Sequence, residues 1–243
     1  QQRGLQTLAP VILPEGTIAE EALARGNLSS HFGWPHAVML DDVIVIHVKN
    51  LFLIRSPDRG KTWEKPFFVD NAPIFVMTAT RSGKIVAISI DRSSDKSFVH
   101  GPDRMVSVLI STDKGKTWKR HQAPVQLPIG AQGLTSRIIE HPRFGLVTGV
   151  HYNTRKDTLT FLVSKDEGRS WRAVNVPSGH PLINNGMVLF EDGKGGMGAI
   201  VRNHAAVGGA YLQNWTSIMQ YVPTNMESAT AFEELNWMGV RSN

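Results

Sequence analysis

Three aspartates, Asp58, Asp113 and Asp166, recur at intervals of 55 and 53 residues, each inside the same eight-residue phrase. A lone carboxylate held at a fixed place can serve as a general acid or base, or as a cation ligand. The phrases themselves argue for another use. They read Ser56-Pro-Asp-Arg-Gly-Lys-Thr-Trp63, Ser111-Thr-Asp-Lys-Gly-Lys-Thr-Trp118 and Ser164-Lys-Asp-Glu-Gly-Arg-Ser-Trp171. A catalytic centre is rarely copied intact three times, whereas a turn is. The aspartates are therefore expected to accept hydrogen bonds from N–H groups of their own turn. Gly60, Gly115 and Gly168 then supply positive φ, and Trp63, Trp118 and Trp171 offer flat apolar faces to bury.

The elements around each phrase fit that reading. A β-type run precedes it every time: Leu51 to Ile54, Val106 to Ile110 and Leu159 to Val163. A short strand follows each tryptophan, so the phrase is a hairpin turn. Self-similarity at about 54 residues means stacked supersecondary units. Strands are predicted near 36–40, 43–48, 51–56 and 67–69, then 74–77, 85–90 and 105–110. Further on they fall at 134–139, 145–150 and 159–163, and in a weaker fourth unit at 187–190, 197–201 and 216–222. A fourth phrase is due near residue 218, where the turn chemistry has drifted, and a last strand ends at Trp237. The Gly-rich stretch 193–198 reads as a short hairpin, because no helix start follows it. Residues 7–13 read as an edge strand on account of Pro10. Thr17 to Arg25 is the best helix candidate, with Thr17 as cap and Gly26 as stop.

The phrase resembles the Asp-box (BNR) repeat of the sialidase (neuraminidase)-like superfamily, whose members are β-propellers. The resemblance covers residues 32–240. It implies an all-β chain of four-stranded antiparallel blades, about four of them recognisable here, either as a small ring with an N-terminal addition or as a ring incomplete in this chain. The expected domains are an N-terminal strand and connector over 1–30 and the propeller over 31–243. In that family the box joins the third and fourth strands of a blade, on the face away from the active site. The other face then carries loops 29–36, 48–50, 69–73, 91–104, 122–133, 151–157, 177–186 and 202–214.

Polar residues gather in those loops, where function concentrates. Seven of the nine histidines fall there or at the margin: His31, His36, His100, His151, His180 and His204, with His121 at the edge. The ligand-binding candidates are Trp34, His36, Asp91, Arg92, His151, Tyr152, Arg155, Arg202 and His204. A shallow polar face carrying Trp34 and Tyr152 suits a sugar.

Sialidase chemistry itself is not expected. The family's first-blade motif is Phe-Arg-Ile-Pro, and here Phe32-Gly33-Trp34-Pro35 puts glycine in place of the arginine that clamps a carboxylate. The loop Val48-Lys49-Asn50 lacks the family's acid/base aspartate, and none of the ten glutamates falls in the predicted loop face to activate Tyr152 or Tyr211. Arg92, Arg155 and Arg202 recur at similar blade positions without restoring the motif. The resemblance thus implies a non-catalytic module that binds a glycan or a protein. It suits an oligomer or a larger assembly such as a viral tail or receptor-binding component, extracellular or on a virion surface. The competing class is a glycoside hydrolase using two of Asp91, Asp95, Asp103 and Asp157.

Composition narrows the rest. At 243 residues, 41 % of them hydrophobic, the chain can bury a sizeable core. A net charge of +5 suits acidic partners, but the basic residues are scattered, so no nucleic-acid partner is expected. Without cysteine, disulfides and Cys-based zinc sites are excluded. His31/His36 and His151/Asn153 lack metal-ligand spacing, so no metal and no cofactor is expected. No apolar run approaches the roughly 18–20 residues of a membrane-spanning helix. Beginning at Gln1 with neither an initiating methionine nor a secretory leader, the chain is expected to be a mature product or an excerpt of a longer one.

Overall fold

In the computed structural model, described residues are 36–48, 52–69, 76–90, 103–127, 130–134, 137–152, 156–182, 184–191, 197–207, 210–221 and 232–234. The expected strand at 7–13, helix at 17–25, 1–30 domain boundary and drifted fourth box lie outside them. Among the described residues every regular element is a β-strand.

The strands make four antiparallel sheets in sequence order. The first is β1 (His36–Leu40), β2 (Val43–Val48), β3 (Phe52–Ser56) and β4 (Phe67–Phe68). The second is β5 (Val76–Ala79), β6 (Ile85–Ile90), β7 (Asp103–Ser111) and β8 (Lys119–Gln126). The third begins with β9 (Ala131–Leu134) and β10 (Ile139–His141), followed by β11 (Gly145–Tyr152), β12 (Lys156–Ser164) and β13 (Arg172–Leu182). The fourth is β14 (Asn184–Glu191), β15 (Met197–Val207), β16 (Ala210–Tyr221) and β17 (Phe232–Glu234). Each sheet is an up-and-down blade, and the four do not close a ring.

The apolar runs are continuous because inner strands are covered on both faces. Strand β6 shows this residue by residue. Ile85 and Ala87 point into a core shared with Val43, Val45 and Leu53 of the first blade. Val86 and Ile88 point the other way, into a core shared with Leu146, Val150 and Leu162 of the third. A third core joins Val147, Leu159 and Phe161 to Met187, Leu189 and Met197 of the fourth. The seams between blades are thus where the hydrophobic stabilisation lies.

Two expectations change. The strand predicted over 134–139 is broken: β9 pairs with the end of β11 and β10 with its start. At the break the Thr148 hydroxyl donates to the Arg137 carbonyl at 2.9 Å, standing in for a ladder bond. The predicted loops 151–157, 177–186 and 202–214 are also largely strand. Strand β13 runs to Leu182, and β15 and β16 stay paired out to Val207 and Ala210. Apolar runs mark only the buried part of such strands, whereas backbone pairing continues past them. The Gly-rich stretch joins β14 to β15, with Glu191 paired to Met197, as a hairpin requires.

Candidate functional site

The recurring phrases link β3 to β4, β7 to β8 and β12 to β13, and their interiors are alike. In the first, the Gly60 amide donates to Ser56 Oγ at 2.7 Å, and that hydroxyl donates to Asp58 Oδ1 at 2.9 Å. The same Oδ1 also accepts from the Thr62 amide at 2.8 Å, and Oδ2 accepts from the Thr62 hydroxyl at 2.6 Å. The indole Nε1–H of Trp63 closes the turn on the Gly60 carbonyl at 3.1 Å. Asp113 and Asp166 receive the same set from Ser111 and Thr117, and from Ser164 and Ser170. Arg59 and Gly60 both have positive φ, 61° and 86°, the φ signature of a type I′ turn. Lys114 and Glu167 repeat the first of these, which sequence alone assigns only to the glycines.

These bonds commit the aspartates to structure. The Thr62 hydroxyl and amide hold the Asp58 carboxyl at about 2, against an ordinary 3.8. Burial pulls Asp113 upward, but its bonds from Thr117 and Ser111 outweigh that and set it at about 2. Asp166 is lowered by the same balance. A general acid needs a proton near working pH, and none of the three holds one there.

The boxes stand along one rim, each against the first hairpin of a blade. Lys114 Nζ pairs with Asp41 of the first blade at 2.7 Å, and Glu167 pairs with Lys84 of the second. The first box has no preceding blade among the described residues, and Arg59 pairs with Asp42 of its own blade at 2.6 Å.

The opposite rim is irregular. All four register shifts beside the loops fall in blades three and four: at His151/Tyr152, Lys156/Thr158, Asn184/Met187 and Asn203/His204. Bulges of this kind re-aim side chains at sheet rims. The candidates fare differently here. His36 opens β1, half-buried and stacked on His47 with centroids 6.1 Å apart. His151 is half-buried on β11. Tyr152 is fully buried in the core shared by blades three and four, and its hydroxyl donates to the Thr158 carbonyl. That corrects the expectation of an exposed aromatic face: β11 is covered on both faces, and the register shift moves Tyr152 from the face of Val150 to that of Val147, in the seam with the fourth blade. Arg202 and His204 lie on β15, with only their backbone described. Trp34, Asp91, Arg92 and Arg155, the Phe32–Pro35 motif and most of the loop face lie outside the described residues.

The first strands of the blades enclose an axial cleft of about 480 Å³. Its polar lining comes from four blades: His36, Arg81, Arg137, Glu140 and Glu191. The Arg81 amide donates to Glu140 Oε2 at 2.6 Å, and its guanidinium donates to the Glu140 carbonyl at 2.9 Å. Arg137 is exposed at the break between β9 and β10. The loop-based reading missed Arg81, Arg137, Glu140 and Glu191 because they sit on or beside first strands. Charge flanking a first strand is the signal that marks them. Among the described residues no group of three His, Cys, Asp or Glu could hold a metal, and no helix is long and apolar enough to cross a membrane.

Repeated boxes at the third-to-fourth strand turn of successive antiparallel blades define an Asp-box β-propeller fold. Residues 109–120 match the BNR/Asp-box repeat. The fold is similar to NanB sialidase from Streptococcus pneumoniae, at 14 % identity and a TM-score of 0.49, over 79 % of this chain and 28 % of that one. It is also similar to the intramolecular trans-sialidase from Ruminococcus gnavus, at 18 % identity and a TM-score of 0.44, over 74 % and 36 %. A sialidase from Trypanosoma rangeli matches at 13 % identity and a TM-score of 0.45, over 76 % and 36 %. The chain therefore spans about a third or less of those structures. No curated protein matches it in sequence.

Proposed function

We propose that the chain is a non-catalytic module of sialidase-like fold, whose axial cleft and loop-bearing rim bind a glycan or a protein surface within a larger assembly. The observation that carries this is the axial cleft, where hydrogen-bonding side chains from four separate blades converge on one volume. Such a cleft offers hydrogen-bonding groups of both signs to a polar ligand. The recurring aspartates are engaged in turns, and glycine replaces the arginine of the first-blade motif. Both features favour binding over turnover. The candidates His36, His151, Arg155, Arg202 and His204 belong to this reading as contributors from the rim. Fold alone does not choose the ligand.

A glycan array read beside a reducing-sugar release assay tests the proposal. Binding without release, lost in Arg137→Ala, is the expected result. Sugar release that disappears in Glu140→Gln or Glu191→Gln would instead make the protein a glycoside hydrolase, since two carboxylates suffice for that chemistry.

A further inference from the structure

The three boxes are built alike, yet the seams they close are filled differently. At the seam between the first and second blades, the residue before the box is Arg55, only 3 % exposed. Its Nε donates to the Lys114 carbonyl of the next box at 2.9 Å, and its guanidinium pairs with Glu64, the residue after the first box tryptophan. An ion pair of the chain's own plugs that seam.

The equivalent positions one blade on are Ile110 and Lys119, directly paired across β7 and β8. Neither can rebuild the plug: Ile110 turns into the core, and Lys119 is exposed. What remains is a cavity of about 470 Å³ on the box rim, lined by Lys84, Trp118, Lys119, His121 and Arg169. Thr112 and Thr117 add hydroxyls, and Ile110 completes the floor. No carboxylate lines it. Two carboxylates adjoin the lining, Glu167 paired with Lys84 and Asp113 accepting the Thr117 hydroxyl at 2.6 Å, and against them Lys84, Lys119 and Arg169 leave the site net cationic. The volume falls in the range of small-ligand sites.

We propose that this seam, between the second and third blades on the box rim, is a second binding site, for an acidic sugar unit bearing sulfate or carboxylate. The anion replaces Glu64 as the counter-charge, meeting Lys119 and Arg169 through charge-assisted hydrogen bonds. Sugar hydroxyls meet Thr112 and Thr117, and the apolar sugar face lies on the Trp118 ring. The cavity is the place vacated by a plug that the neighbouring seam retains.

The test is calorimetric titration of the full chain with a sulfated disaccharide, a uronate-containing disaccharide, their neutral counterpart and inorganic sulfate. At least one acidic disaccharide is expected to bind in a salt-sensitive manner, with the neutral one silent. Lys119→Ala and Arg169→Ala, both at exposed positions, should each weaken binding about tenfold. Lys116→Ala, the counterpart of Arg169 at the plugged seam, should leave it unchanged. Ile110→Arg combined with Lys119→Glu rebuilds the plug and should abolish binding while circular dichroism stays native. Equal binding of the neutral disaccharide, inorganic sulfate binding as tightly as the sugars, no binding of either acidic sugar, or indifference to Lys119→Ala and Arg169→Ala would each overturn the proposal.

Discussion

The first and third boxes share one internal bonding pattern and differ in what lies outside it. Around Asp58 and Asp166 the serine, threonine or serine, glycine and tryptophan bonds agree to within 0.2 Å. Yet Trp171 is 5 % exposed in the core between blades two and three, whereas Trp63 is only half-buried. Gly168 lies against Val86 of the preceding blade, while Gly60 meets only its own blade, at Trp63 and Ile44. Even the charges divide this way, with Glu167 reaching back across a seam and Arg59 folding onto its own hairpin. The box is therefore a self-sufficient turn that becomes a fastener only when a blade stands before it. The first blade's outer side, with Met39 63 % exposed, shows what the turn looks like unfastened.

The largest test of that difference is tryptophan removal. Trp171→Ala empties a buried site in a seam and should cost about 3–5 kcal/mol, the usual price of a buried aromatic. Trp63→Ala removes a ring that closes its own turn but fastens no preceding blade, and should cost about 1–2 kcal/mol. Chemical denaturation of the two variants measures the gap. Equal losses would mean that the tryptophan acts within its own hairpin and not between blades.

Glycine substitution separates strain from contact. Both glycines have positive φ, +86° at Gly60 and +93° at Gly168, so alanine meets backbone strain of about 1–2 kcal/mol at either. A Cβ at Gly168 would lie 2.7 Å from Val86 Cγ1, against 3.5 Å to the nearest atom at Gly60. Gly168→Ala should therefore lose about 1–3 kcal/mol more, the cost of overpacking. Thermal melts of the pair give the answer directly. If Val86→Ala in the same chain fails to rescue Gly168→Ala, the seam is not what the glycine serves.

Most of the blade plan was legible in the residues, because a repeat states its period and its turn at once. Asp58, Asp113 and Asp166 announced the hairpins, and the apolar runs before them located third strands to within a few residues. The candidate site was less legible. Loops were inferred wherever apolar runs stopped, so the paired strands beyond Tyr152 and out to Leu182 were taken for rim. Tyr152 reads as a surface aromatic because the apolar run stops at Val150, whereas β11 runs on to Tyr152 and is covered on both faces. Arg137 and Glu140 escaped notice for the opposite reason: they flank a short strand whose break depends on the distant Thr148 hydroxyl. The plug of Arg55 and Glu64 was invisible too, since only stacking places Arg55 against Lys114, 59 residues away.

The smallest effect concerns the charge at the second position of the turn. Bonds from Lys84 and Ser82 hold the Glu167 carboxyl below its ordinary 4.5. A carboxyl depressed on folding adds stability above its unfolded value and loses it as the pH falls through the folded one. Glu167→Gln should thus cost under about 1 kcal/mol at neutral pH, since both partners are only half-buried and water screens the pair. That cost should fade as the medium is acidified below the ordinary 4.5, as the wild-type carboxyl also takes up its proton. Arg59→Gln, at a box with no preceding blade among the described residues, should change stability less at neutral pH, because its partner Asp42 belongs to the same blade and both groups are well exposed. Melting temperatures of the two variants and the parent, followed from pH 7 to pH 3, compare the pairs directly. A loss in Glu167→Gln that persists undiminished at pH 3 would assign its effect to packing against Lys84 and remove charge from the account of how blades are fastened.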